Sequence, residues 1–297
     1  VHAGLLRYGR ELAFATARVY ARAAELRGAW DARLEALVVD SVVRGDADAE
    51  VLSRASALGW GRGRGVCVVV GEVPTSRPTP DLVGEVRRRA LTCVSDVLCA
   101  IQGHRLVVVL GGVAREHAPM GATEVGQQTD ESAAPGVLRA AASVLAQFDD
   151  GPVVVGPWVE DLPTAHVSAR EAVAAHEVAR TWPEAPRPVH ALDLLPERLL
   201  AGERGAAAQL VDHVHRPLAE HRSALVETLT TFFGQRASIE ATARALFVHP
   251  NTVRYRLAQV AEVTGCSPTD PRDGFTLQIA LALGRQGVRE EHGLNPA

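Results

Sequence analysis

Ser238-Ile-Glu-Ala-Thr-Ala-Arg-Ala-Leu-Phe-Val-His-Pro-Asn-Thr-Val-Arg-Tyr-Arg-Leu257 is the stretch on which the reading of this chain turns. Ser238 is a residue type that caps helix N-termini through its hydroxyl. Ala241 and Ala243 are small enough to let two helices cross closely. Leu246, Val248, Val253 and Leu257 form an apolar set divided by a break at Phe247 to His249. Pro250 suits the first position of a new helix, where its missing N–H costs nothing. A short helix, a tight turn and a second helix sharing one buried set make a helix-turn-helix. It is expected over 238–260, with Ala243, Leu246, Val248, Val253 and Leu257 as its core. The turn carries Phe247 where glycine is usual.

The faces of the second helix follow from about 100° of rotation per residue. Val253, Leu257 and Val260 fall on one side and point to the core. Asn251 and Tyr255 fall opposite, with Thr252, Ala258 and Gln259 nearby; asparagine, threonine and glutamine can hydrogen-bond base edges in a major groove. Arg254 and Arg256 lie on the two flanks, where a seated helix meets the phosphate walls. His249 stands next to this helix as its cap. The expected DNA contacts are therefore His249, Asn251, Thr252, Arg254, Tyr255, Arg256 and Gln259. The bland alternative is one more helical hairpin with solvated arginines.

Composition sets the frame for that motif. The chain has 297 residues, 47% hydrophobic and 22% charged, enough for two domains with filled cores. All 31 basic residues are arginine, and the net charge of −4 gives no whole-chain attraction for nucleic acid. Any DNA contact must therefore be local. Cys67, Cys93, Cys99 and Cys266 form no C-x-x-C pair and have no histidine at zinc-finger spacing, so they read as reduced core thiols with no metal and no cofactor. No catalytic residue set with nucleophile-elbow or H-E-x-x-H spacing occurs. With no signal peptide and no apolar stretch of about 18 residues, the expected location is the cytoplasm, without membrane contact.

Working outward, residues 2–44 read as helix. Leu5, Leu6, Tyr8, Leu12, Val19, Leu26, Leu34, Leu37 and Val38 recur at mixed three- and four-residue spacing, as for a coiled-coil-like dimer contact or a cap on the next domain. Ala49 to Leu58 reads as a short helix stopped by Gly59. Gly61 to Gly65 precedes a strand, the wrong order for a phosphate loop, and reads as an exposed connector. The middle then reads as strand Val66–Val70, helix Asp81–Val94, strands Val97–Gln102 and Arg105–Leu110 joined by a Gly103-His104 turn, helix Val137–Phe148, strand Val153–Val155 and helix Ala165–Arg180. Residues 111–135 read as a loop and Pro188–Leu192 as an edge strand. This βαββαβ order predicts a ferredoxin-like α+β sandwich with one antiparallel sheet. Three prolines in Trp182–Pro188 read as a linker. Helices follow over Asp193–Leu200, Ala206–His215, Ala219–Phe233 and, after the helix-turn-helix, about Gly274–Arg285; the last dozen residues read as mobile. The expected domains are 1–60, 61–192 and 193–297.

Val248-His-Pro-Asn-Thr-Val-Arg-Tyr-Arg-Leu257, followed by Val263-Thr-Gly265, closely resembles the C-terminal helix-turn-helix of the PucR (CdaR-like) family of bacterial regulators. Leu218 to Phe233 is similar to that family's lead-in helix, and Trp30 to Gly59 to the segment before its GGDEF-like middle domain. The resemblance implies a homodimer on double-stranded promoter DNA, commonly an activator of a metabolic operon, with RNA polymerase as the further partner and a sensing middle domain of unassigned effector. The actinobacterial look of the sequence points to the branch that includes a regulator of fatty-acid biosynthesis. Two rival readings are a nucleotide cyclase and a protein–protein interaction module. Cyclase chemistry needs carboxylates to hold Mg²⁺ on the nucleotide phosphates. The hairpin that should carry them reads Gln102-Gly-His-Arg-Leu106, and only Glu72 follows the first strand, so the chain is expected not to be an enzyme.

Overall fold

The computed structural model describes residues 16–18, 30–46, 48–61, 63–75, 79–114 and 136–293, with the side chains of 79–81 and 287–293 left aside. The expected loop thus lies outside the described residues over 115–135, as do most of residues 2–29. A helix, α1, occupies 30–44, and α2 follows at Ala49–Ala57, its N-terminus capped by the Asp48 carboxylate. Strands β1 (Val66–Glu72), β2 (Asp96–Gln102), β3 (Arg105–Gly111), β4 (Val153–Val155) and β5 (Val189–His190) form one sheet in the order β2-β3-β1-β4-β5. Between them run α3 (Thr79–Ala90), α4 (Gly136–Val144) and α5 (Ala165–Val178).

The β2-β3-β1-β4 core has the expected order and pairs antiparallel, turning between β2 and β3 at Gly103-His104. One correction concerns the edge. β5 pairs parallel with β4, because the α5 crossover returns the chain in the same direction, so the sheet is mixed. A second concerns the layers. Both faces are covered: Val66, Val68, Val70, Val107 and Val109 pack against α1, α2 and α5, while Cys67, Val69, Val108 and Leu110 pack against α3 and α4. A strand buried on both faces reads as a continuous apolar run, which is why Val66–Val70 shows no alternation.

Gly61–Gly65 is not simply an exposed connector. The Gly61 N–H donates to Asp96 Oδ1 at 2.7 Å, and Gly65 is buried at φ 89°, where a Cβ would stand 2.0 Å from the Val113 carbonyl oxygen. Trp182–Pro188 is likewise no linker. Trp182 packs on the core beneath β4, and Arg187 donates to the carbonyls of Gly151, at 2.9 Å, and Asp149, which seats the chain for β5.

The remainder is helical: α6 (Leu195–Leu200), α7 (Arg204–Leu210) running through a π turn at Val211–His215 into α8 (Arg216–Glu220), α9 (Leu225–Gly234), α10 (Ile239–Ala245), α11 (Pro250–Thr264) and α12 (Pro271–Gly293). The single helix expected over 219–233 is two, broken at His221–Ser223, where the Ser223 N–H turns onto His221 Nδ1. α12 also runs past its expected end. Leu210, Leu218, Leu229, Phe232, Val253, Val260 and Leu277 fill the core these helices share.

Two arginines join the helices to the sheet body. Arg198 of α6 is fully buried, 2.6 Å from Glu171 on α5 and bidentate to Glu203 at 2.6 and 2.7 Å. Gln209 of α7 donates to the same Glu171 at 2.9 Å. Burial pushes the Glu171 carboxyl up, but Gln209, Arg198 and Arg170 together hold it below the ordinary carboxylate range. Arg272 of α12 lies 3.8 Å over the Trp182 ring and pairs with Glu197 at 2.5 Å.

Candidate nucleic-acid interface

The Ser238 hydroxyl accepts the Ala241 N–H at 3.3 Å, starting α10 as its residue type implies. The chain then turns at Leu246–His249. His249 caps α11: its Nδ1 accepts the Asn251 N–H at 3.1 Å, and Pro250 follows in the first turn. Across the crossing, Ala243 is buried against Val253, Leu257 and Val260, which lie on one side of α11 as the helical period requires. Leu246 and Val248 are only half-buried, so the inner core is narrower than the sequence suggests.

The outward side of α11 presents Asn251, Arg254, Tyr255 and Ala258, all exposed. Arg254 Nη1 donates to Asn251 Oδ1 at 2.8 Å, and Arg254 stands 3.7 Å from Glu240 of α10. Gln259 Nε2 donates to the Tyr255 hydroxyl at 3.2 Å, while its Oε1 is buried without a hydrogen-bond partner among the described residues. Asn251–Arg254 and Tyr255–Gln259 are thus two linked pairs in the free protein, held at i, i+3 and i, i+4. Thr252 is half-buried.

Arg256 differs from its neighbour. It is half-buried and donates to Thr228 Oγ1 of α9 at 3.0 Å, so one side of its guanidinium is committed within the fold. Periodicity on α11 alone could not show this, because Thr228 is 28 residues away. A threonine on the facing side of the lead-in helix, next to an arginine on the flank, is the only signal the sequence offers.

Phe247 occupies the turn at φ 55° with its ring 96% exposed. Among the described residues no three histidine, cysteine or carboxylate groups come together as a metal site, and no helix is long and apolar enough to cross a membrane. The Cys67 and Cys266 thiols are pushed up to about 12 by burial, whereas Cys93 is exposed rather than in the core.

A helix-turn-helix behind a cyclase-like sheet defines a class of bacterial regulators. Residues 225–283 match the PucR C-terminal helix-turn-helix domain, and residues 44–178 match the GGDEF-like domain. The chain belongs to the PucR family of transcriptional regulators. It is 40% identical over 300 residues to an uncharacterised protein of Mycobacterium tuberculosis (strain H37Rv), covering 97% of this chain and 67% of that one. Over 128 residues it is 30% identical to the purine catabolism regulatory protein of Bacillus subtilis, 42% of this chain and 24% of the relative. The crystal structure of a regulator of polyketide synthase expression from Bifidobacterium adolescentis superposes with a TM-score of 0.66 at 30% identity, covering 86% of this chain and 93% of that one.

Proposed function

We propose that this regulator binds double-stranded promoter DNA in the cytoplasm as a homodimer, seats α11 in the major groove and activates a metabolic operon, with RNA polymerase as its further partner. The observation that carries the reading is the exposed stripe of Asn251, Arg254 and Tyr255 on a helix whose opposite side is core. Asn251 reads a base edge, and Arg254 leaves Asn251 Oδ1 for a phosphate, so the free-state hydrogen bond is exchanged for two DNA contacts. His249, Thr252 and Gln259 line the same surface. Arg256, tied to Thr228, holds α11 against α9 and reaches the backbone only with its remaining N–H groups.

The middle domain is inert as a cyclase in this proposal. Glu72, the carboxylate after β1, is taken by Arg180 at 2.7 and 2.8 Å, and Arg180 holds it below its ordinary range. Arg105 stands beside the hairpin where a cation would sit, itself paired with Glu177 at 3.2 Å. The division at residue 193 is part of the same proposal, with the sheet body sensing and the helical part binding.

Gel shifts across a salt series test the DNA surface. Asn251→Ala should flatten base preference at one position by about 1–3 kcal/mol. Arg254→Ala should weaken binding to every sequence and lower the salt slope by about one. Unchanged affinity and slope in both variants overturn the assignment. Mapping of bound promoters should place the protein at metabolic operons, fatty-acid biosynthesis among them. Detectable cyclic dinucleotide from GTP and Mg²⁺ overturns the inert domain.

A further inference from the structure

A hollow of about 740 Å³ opens in the helical part between α8, α9 and α12. Its wall is largely small and apolar, with Ala219 on α8, Val226 on α9 and Ala282 on α12. His215, Arg285 and Gln286 supply its polar groups. A second hollow of about 310 Å³ is lined by Thr230 and Phe233 of α9, and the two share Arg285. An apolar wall with a few polar groups, at a volume of some hundreds of Å³, is the make-up of a small-molecule site.

The polar end of the larger hollow is arranged by the backbone. The π turn at Val211–His215 widens the helix by one residue just where His215 stands, and turns of this kind recur at functional sites. The ring then lies against Gly284, where an added Cβ would stand 2.0 Å from Nε2, so α12 carries no side chain in its way. Arg285 also differs from other arginines of the helical part. Arg198, Arg256 and Arg272 are committed to partners within the fold. Arg285 is exposed, and among the described residues neither it nor His215 has a hydrogen-bond or ion-pair partner.

The charge of that end sets the class of ligand. Burial lowers the His215 pKa from its ordinary value, so the ring is neutral at pH 7. One positive charge remains, on a planar guanidinium that fits a carboxylate through two parallel N–H···O bonds. A phosphate dianion would leave a charge unmatched. We propose that the hollow binds a small monocarboxylate with an apolar body, its carboxylate held by Arg285 and His215 and its body lying on Ala219, Val226 and Ala282. No lining residue belongs to α11 or to the sheet body, so the site is tested without DNA and stands or falls apart from the reading of α11.

The test uses the full chain and 4-phenylbutyrate as the probe. Titration calorimetry should show one molecule bound per chain, with a dissociation constant of about 1 mM or tighter for a ligand of this size. 4-Phenylbutanol and 4-phenylbutylamine carry the same body without the carboxylate and should bind about tenfold more weakly or worse. Arg285→Met keeps an apolar stem and removes the charge. It should weaken the acid by about tenfold or more and leave the melting temperature of the free chain at wild type, because the side chain has no partner to lose. Ala282→Phe fills the hollow from an exposed position and should abolish binding of all three compounds. The proposal is overturned by no binding of the acid at about ten times the expected constant. Equal binding of acid and alcohol overturns it as well, and so does an affinity for the acid that survives both substitutions.

Discussion

Phe247 holds a left-handed backbone conformation, φ 55°, that a side chain of its size adopts at a cost of about 1–2 kcal/mol. Its ring is almost wholly exposed, so burial does not offset that cost. Replacing it with glycine removes the strain but adds freedom to the unfolded chain. Phe247→Gly should therefore leave the unfolding midpoint unchanged or raise stability by up to about 1 kcal/mol; denaturant melts that show a loss instead would mean that the ring packs in solution. His190 gives the pH response at this scale. Its Nδ1 accepts the Leu192 N–H at 3.2 Å, and burial lowers its pKa to about 4. The unfolded chain takes up this proton near pH 6.5, before the native state does, so the contribution is full above 6.5 and is lost as pH falls towards 4. The part lost by pH 5 is about 2 kcal/mol. His176, also lowered by burial and then by Arg105, acts in the same direction. His190→Asn keeps an acceptor at the cap without the titration, so its acid-induced loss should be smaller than wild type in melts from pH 7 to 5; parallel curves would count against the assignment. Cap residues such as Ser238, Pro250 and His249 were legible in the sequence because each acts within three positions of itself. The Arg256–Thr228 bond was not, since its partner lies on another helix.

Strands with a strong period were readable almost to the residue, whereas the helix expected over Asp81–Val94 already ends at Ala90 and that over Val137–Phe148 at Val144. Val97–Gln102 and Arg105–Leu110 are bounded by a glycine turn, and their register follows from it. The failures at this scale have a common cause. Ala219–Phe233 looks continuous by period, yet it breaks at His221–Ser223, where side-chain nitrogens offer the backbone another hydrogen bond. Trp182–Pro188 looks like a linker by proline content, yet Arg187 and Trp182 fix it by contacts with distant residues. The π turn at Val211–His215 has no sequence signature either, and it sets His215 against α12 at Gly284. There an added Cβ would stand 2.0 Å from the imidazole Nε2. Gly284→Ala should cost about 1–3 kcal/mol through overpacking despite its gain in helix propensity. His215→Ala should rescue part of that loss, so a double-mutant cycle on the unfolding free energies should show coupling. Additive losses would mean that α12 shifts to accommodate the methyl group.

At the scale of the whole molecule, what matters is the polar joint between the sheet body and the helical part. Arg198 lies between Glu171 and Glu203 with no exposure, and neither carboxylate stands at the three- or four-residue spacing that marks helical neighbours. No spacing rule finds a pair 27 residues apart on separate elements, so the joint had to be seen. Arg198→Ala leaves the Glu171 charge buried with a weaker set of partners and should destabilise by about 3–5 kcal/mol. It should also split a single thermal transition into two as the halves uncouple; one transition with an unchanged midpoint would contradict this account. The Glu35 carboxylate has a different kind of consequence. Seated on an outward N–H of β2, it occupies one margin of the sheet, while the other margin ends in the two residues of β5. A sheet closed in this way offers little template for another strand, which guards a valine-rich core against fibril-like stacking when the protein is concentrated or newly made.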